Sequence, residues 1–448
     1  KFVEENPRST LIRLSNALPL FIFCRDFGYR KLDRALLTFM DINFISLSHT
    51  SEFSEMSVDY LIDYVGRDSL YVDNEMQVFE AISRWMKAGE SRKEHAARLL
   101  QCVRFHRIPE KLISEVVEKT NWVGDNRRCM ELVNEAQQIN RSNELVRKTT
   151  FKNYERFSRA LIFVIGNLIG KISHITIYDP ISDKWKAGRI YPSNRENFEI
   201  AAVGEKIYLI GGHDGYSYRT YDVIDTQNNS WEKKYNYMRR DRPSPIVGVI
   251  NGKIYVAGGF YNVKSAATLE MLDTTAKSPV WVMVASMSKF RSSPGFCVAA
   301  GKFYVIGGWN RGILADGECY DPKTNSWSLI ASMNKKRDRF GTAVIKGQIY
   351  VVGGTDGVTS LDDLNRYDPA TNTWTTLKGM NRKRISAAAA VSCGKLFVFG
   401  GYDSISYSTM EVYDPETDCW HESKMPGQRG IVSVASLPIP ASLQSPSV

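Results

Sequence analysis

The stretch Lys346-Gly-Gln-Ile-Tyr-Val-Val-Gly-Gly-Thr-Asp-Gly-Val-Thr-Ser-Leu-Asp-Asp-Leu-Asn-Arg-Tyr-Asp-Pro-Ala-Thr-Asn-Thr-Trp374 decides the fold, because its parts recur along the chain. Its core, QIYVVGG (348–354), returns as KIYLIGG (206–212), KIYVAGG (253–259), KFYVIGG (302–308) and KLFVFGG (395–401), with a degenerate ALIFVIGN at 160–167. The first glycines stand at 166, 211, 258, 307, 353 and 400, so the repeat is 45 to 49 residues long. Self-similarity at that period marks a propeller whose blades are small sheets, and six copies predict six blades.

Each copy continues with an aspartate: Asp179, Asp225, Asp273, Asp321, Asp368 and Asp414. Proline follows it at Pro180, Pro322, Pro369 and Pro415. This is turn chemistry, since the carboxylate caps the turn and proline presets φ. A tryptophan then recurs at Trp185, Trp231, Trp281, Trp327, Trp374 and Trp420, at constant distance from the Tyr-like position except in the third copy. The paired glycines suit a strand end near the propeller axis that needs φ > 0. The first copy lacks the strand that precedes the Gly-Gly strand elsewhere, and an unclaimed strand-like segment, 431–437, follows Trp420. The propeller is therefore expected to span 157–437 and to close by adding the C-terminal strand to blade one, which removes open sheet edges.

Ahead of the repeats the period is helical. Leu32, Ala35, Leu36, Phe39 and Met40 make one apolar stripe, and Val78, Phe79, Ile82, Trp85 and Met86 another. Asn74 with Gln77 resembles a capping box, Pro109 opens a helix over 110–119, and Cys129, Leu132, Val133 and Ala136 mark a further helix. The expected organisation is multidomain: a helical domain over 1–140, a polar linker at 141–156, the all-β propeller, and a disordered tail at 438–448.

The 448 residues carry a net charge of +9, unevenly placed. Residues 1–150 hold 22 Lys+Arg against 22 Asp+Glu, leaving 36 against 27 in the rest. The excess is not organised into a basic run or nucleic-acid motif, so nucleic acid is not expected as a partner. The seven cysteines are scattered without a C-x-x-C pair, which reads as reduced thiols in a cytoplasmic setting. No apolar stretch approaches the roughly 20 residues of a membrane helix, so no membrane partner is expected.

The repeats resemble the Kelch motif, and with the helical part the chain resembles the Kelch-like family of BTB-BACK-Kelch proteins. The helical resemblance rests on Phe44, Phe53, Asp68 to Leu70, the segment from Glu75 through Val78, Phe79, Ala81 and Trp85, Leu99-Leu100 with Val103-Arg104-Phe105, and Cys129, Leu132, Glu135 and Ala136. The resemblance implies a BACK domain followed by a six-bladed Kelch propeller. It implies an adaptor whose propeller binds a protein substrate for ubiquitination and proteasomal degradation while a BTB domain recruits the third cullin, the scaffold of a RING E3 ligase. No BTB sequence lies within these residues, so cullin recruitment is expected only if such a domain precedes Lys1. The alternative is an actin-binding or cytoskeletal scaffold without a ligase role, which the basic propeller also suits.

Five copies carry methionine followed four residues later by arginine, giving Arg242, Arg291, Arg337, Arg384 and Arg429. One reading places five guanidinium groups around a channel mouth, where they would bind an acidic segment bidentately. The other has each arginine satisfy carbonyls or aspartates of a neighbouring blade. On the first reading, replacing Arg291, Arg337 and Arg384 by alanine leaves the fold intact and abolishes capture. The variable loops after each Gly-Gly add His213, Tyr261, Trp309 and Tyr402 as candidate anchors, while Arg366, immediately before Tyr367, matches a position that the resemblance implies can contact an acidic ligand, the alternative being a solvated strand residue. Catalysis is not expected, and neither is a cofactor or metal: the six histidines are dispersed, and there is no G-x-S-x-G, H-E-x-x-H or phosphate loop.

Overall fold

The computed structural model describes residues 12–27, 36–142 (without 38, 68–69, 71, 73, 106–107 and 109) and 160–438 (without 167–172, 181–182, 192–194, 196, 205, 214–218, 226–229, 260–266 and 427–431). The chain divides into two compact units, Lys1–Arg159 and Ala160–Val448.

The first unit is helical. Ser57 caps the helix Val58–Val65 by accepting from the Tyr60 N–H, and Thr50 does the same for Phe53. The helix Met76–Lys87 buries Val78, Phe79, Ile82, Trp85 and Met86, the stripe its spacing predicts. Asn74 Oδ1 accepts from the Gln77 N–H at 3.3 Å, which is half of a capping box. The expected helix after Pro109 runs as a short α segment, Glu110–Leu112, into a π turn over Ile113–Val117. The helix Arg127–Ser142 buries Cys129, Leu132, Val133 and Ala136. Of the stripe from Leu32 to Met40, Leu36 and Met40 are buried, Phe39 packs against the same core, and Leu32 and Ala35 lie outside the described residues.

The second unit is a six-bladed propeller of four-stranded antiparallel sheets. The strand Val432–Pro438 pairs antiparallel with Ala160–Gly166, so blade one takes its innermost strand from the far end of the chain. The innermost strands of blades two to six are Glu199–Val203, Pro245–Ile250, Gly295–Ala299, Gly341–Ile345 and Ala388–Ser392. Each packs beside the next, and Val432–Pro438 lies beside both Ala388–Ser392 and Glu199–Val203, which closes the ring. Second strands such as Lys302–Ile306 are buried almost throughout because neighbouring blades cover both faces, whereas outer strands such as Ser326–Ile330 are mostly exposed.

Turn chemistry sets the blade shape. The hairpins between first and second strands place two residues at positive φ, as at Asn251-Gly252 (51°, 72°) and Lys346-Gly347 (51°, 75°). That is the backbone twist a two-residue hairpin favours. In the outer turn, Asp321 Oδ1 accepts from the Lys323 N–H and the Tyr320 hydroxyl donates to Asn325 Oδ1. Asn325 Oδ1 also accepts from Ala285 N–H of the preceding blade, while Trp327 Nε1 donates to the Ala285 carbonyl at 2.7 Å. Tyr367, Asn372 and Trp374 repeat this latch onto Ala331, and Tyr413, Asp418 and Trp420 repeat it onto Lys378. Blade three departs from it: Leu272 stands at the tyrosine position, and Trp281 is buried against Tyr221 with its Nε1 lacking a hydrogen-bond partner.

Candidate functional site

The arginines that open the innermost strands are buried. Arg242, Arg291, Arg337 and Arg384 are at most 1% exposed. Arg242 donates to the Gly258 and Thr268 carbonyls and pairs with Glu270 at 2.8 Å. Arg291 does the same with Gly307, Asp316 and Glu318, and Arg384 with Gly400, Thr409 and Glu411. Arg337 donates to the Gly353 carbonyl. These partners sit on or at the ends of the second and third strands of the arginine's own blade, so the guanidinium groups of Arg242, Arg291 and Arg384 each tie three strands together. The arginine carbonyl faces the preceding blade: Gly212, Gly308 and Gly354 donate to the Arg242, Arg337 and Arg384 carbonyls at 2.8 to 2.9 Å. A Cβ on Gly211, Gly307 or Gly353 would come within 2.4 to 2.6 Å of those same oxygens, which is why glycine stands there. These four side chains therefore do not present guanidinium groups to a ligand at a channel mouth, and their truncation is not neutral to the fold. The reading in which they satisfy carbonyls and aspartates comes nearer, with two corrections: the partners belong to the arginine's own blade, and the ion pairs of Arg242, Arg291 and Arg384 are chiefly with Glu270, Glu318 and Glu411.

A fifth member went unread in the sequence. Arg195 pairs with Asp222 and donates to the Gly211 carbonyl. It lacks the methionine, since Tyr191 stands four residues before it, but it lies 16 residues before its glycine as Arg242, Arg291, Arg337 and Arg384 do. That spacing is the signal that finds it. Arg429 and Tyr261 lie outside the described residues.

The ring that faces the axis is formed two residues further on, by Asn197, Ser244, Ser293, Arg339 and Ser386, all at φ between 47° and 55°. They are stitched together by backbone hydrogen bonds: Ser244 N–H to the Asn197 carbonyl, Arg339 N–H to that of Ser293, and Ser386 N–H to that of Arg339. Asparagine tolerates left-handed backbone, while arginine there is strained, of order 1–3 kcal/mol, a cost that clusters at functional sites. Arg339 is the only cation among these five, and its side chain remains 44% exposed. Its Nε lies 3.4 Å from Asp338 and its Nη1 donates to the Tyr402 hydroxyl at 3.3 Å. Burial raises the pKa of Asp338, so Arg339 is loosely held by a carboxylate that is itself poorly solvated.

The loops after the paired glycines are pinned beside this ring. Trp309 bridges to Ser292, Thr355 to Asp338 and Tyr402 to Ile385. Trp309 is 39% exposed, Tyr402 is half-buried against Arg339, and His213 is half-buried. Ser360 donates to Asp403, joining the loops of blades five and six. Tyr407, a neighbour the sequence did not suggest, lies under Arg382 and Arg384 with ring distances of 5.6 and 5.0 Å. Arg366 is placed elsewhere, mid-strand in Leu364–Asp368, where it lowers the pKa of Tyr350 against the rise that burial causes. Ser244, Ser293 and Arg339 thus offer exposed hydroxyls and one cation, flanked by Trp309 and Tyr402. Hydroxyls, a cation and aromatic rings side by side have the chemistry that suits a carboxylate with an apolar neighbour. Among the described residues no group of three or more His, Cys, Asp or Glu side chains could hold a metal ion, and no helix is long and apolar enough to cross a membrane.

A helical domain followed by this propeller defines a class, the BACK–Kelch proteins. A family profile described as BACK (BTB And C-terminal Kelch) matches residues 17–118, and one described as the Attractin/LZTR1 beta-propeller matches 207–436. Kelch-like protein 28 of Homo sapiens is 31% identical over 262 residues, covering 55% of this chain and 45% of that protein. Kelch-like protein 24 of Homo sapiens is 27% identical over 262 residues (57% and 41%), and Kelch-like protein 25 of Xenopus tropicalis is 26% identical over 341 (72% and 56%). The chain belongs to the Kelch-like family, with a BACK domain and a Kelch-type propeller. It spans about half the length of the curated relatives it matches.

Proposed function

We propose that the propeller captures a protein partner by its channel-mouth face, through a short acidic segment bearing an apolar residue, and that the complete gene product presents this partner to a cullin-three RING ligase for ubiquitination and degradation. The observation that carries the reading is Arg339, a cation held in left-handed backbone on a ring of hydroxyls with Trp309 and Tyr402 beside it. Membership of the Kelch-like family and the BACK profile support the ligase half, which requires a BTB domain that these residues do not contain. All seven cysteines are free thiols, in keeping with a cytoplasmic protein.

The test is proximity labelling in cells with the wild-type chain and with Arg339→Glu. A partner enriched by the wild type, lost with the variant and more abundant when the gene is silenced supports the adaptor. The propeller-bearing unit's excess of Lys+Arg favours one rival, a scaffold on acidic actin filaments. Salt-sensitive cosedimentation with filaments, unaffected by Arg339→Glu, would decide for the scaffold.

A further inference from the structure

The buried arginines of blades two to six are an internal control on one another, and blade five fails it. Arg195, Arg242, Arg291 and Arg384 meet Asp222, Glu270, Glu318 and Glu411 at 3.0, 2.8, 3.2 and 2.9 Å. In each case the acid stands three residues before the aspartate that ends the third strand. In blade five that place in Leu364–Asp368 belongs to Asn365.

Arg337 is fully buried, yet it makes one side-chain hydrogen bond, from Nη1 to the Gly353 carbonyl at 3.2 Å. Its Nε and Nη2 have no hydrogen-bond partner. The amide that replaced the acid is turned elsewhere, with Asn365 Oδ1 accepting from the Thr376 hydroxyl. A second neutralising group is also withdrawn. In blade four Asp316 serves both Lys289 and Arg291, at 2.7 and 3.1 Å, whereas in blade five Asp363 gives both oxygens to Lys335.

Burial lowers the pKa of Arg337 and Asp363 opposes that shift, but a guanidinium does not shed its proton in a protein. The charge therefore persists where uncompensated charge is strongly disfavoured. Length alone does not withdraw the partner, since Asp222 has the same side-chain length as Asn365 and pairs with Arg195; what blade five lacks is the negative charge.

We propose that Arg337 is an internal anion site: Nε and Nη2 take a small monovalent anion, chloride or a carboxylate the size of formate, in the position that a side-chain carboxylate fills in the other blades. The site is separate from the partner face, because Arg337 itself is not exposed. Among blades two to six it makes blade five, which carries Arg339, the one whose packing responds to the ionic medium.

The test is scanning calorimetry of the full chain at constant ionic strength, replacing gluconate by chloride and, in a parallel series, by formate. The wild-type midpoint is expected to rise saturably with chloride. Asn365→Glu is expected to melt higher in gluconate and to lose the response. A matching response to formate extends the site to carboxylates, and none restricts it to halide. No response in the wild type, or an equal one in Asn365→Glu, overturns the proposal. Should Asn365→Glu fail to fold, wild-type crystals in bromide decide. An anomalous peak within hydrogen-bond reach of Nε and Nη2 is required, and a water or a rotated Asn365 amide in that place refutes the site.

Discussion

Arg337 and Arg339 are two residues apart, and the fold gives them opposite work. The first belongs to a collar of buried arginines, and it holds its own second strand through the Gly353 carbonyl and the preceding blade through its backbone. The second stands on the rim in left-handed backbone with its guanidinium open to solvent. Residue type does not separate them; position does. An arginine 16 residues before the paired glycine is structural, and the residue two places on is free to vary, appearing as asparagine, serine or arginine, and to meet a partner.

The largest expected effect lies in the collar. Arg384→Ala strands Glu411 without its counter-charge, and breaking a buried pair of this kind costs about 3–5 kcal/mol, read as a fall in the denaturant midpoint. On the rim, Arg339→Ala should leave stability within about 0.5 kcal/mol, yet weaken partner capture by about 2 kcal/mol or more, measured by titration once the partner is in hand. The latch gives a finer contrast. Trp374→Phe removes a hydrogen bond to the Ala331 carbonyl and should cost about 1 kcal/mol, while Trp281→Phe breaks no hydrogen bond, so its cost is that of the space left at a buried site.

The smallest effect is a pH slope. Burial raises the Glu199 pKa from 4.5 to about 7, so folding favours its neutral form. Its contribution to stability is fully present below about pH 4.5 and is lost as pH rises through about 7, and Glu199→Gln should flatten that part of the stability profile.

The blade count was legible in the sequence because the glycine pair, the aspartate turn and the tryptophan each answer to one local backbone demand. The third blade's irregularity was legible for the same reason: Trp281 stands further along the chain from Leu272 than the other tryptophans do from their Tyr-like residue, and the longer turn still pairs the two. The site was harder to read. Whether Arg291 points at solvent or at Glu318 depends on a pairing 27 residues away, which no local pattern encodes. Arg195 is hidden in the sequence because it lacks the methionine of the other copies and shares with them only its distance to the glycine. The rim residues Ser244, Ser293 and Ser386 carry no signal of their own, since a serine at positive φ looks like any loop serine until the ring closes around it.

The most direct test of the central claim measures the unfolding midpoints of Arg384→Ala and Arg339→Ala side by side in the full chain. A fall of several kcal/mol for the first, with the second indistinguishable from wild type, is the predicted result. Equal losses, or a stable Arg384→Ala, would contradict the division between a buried collar and an open rim.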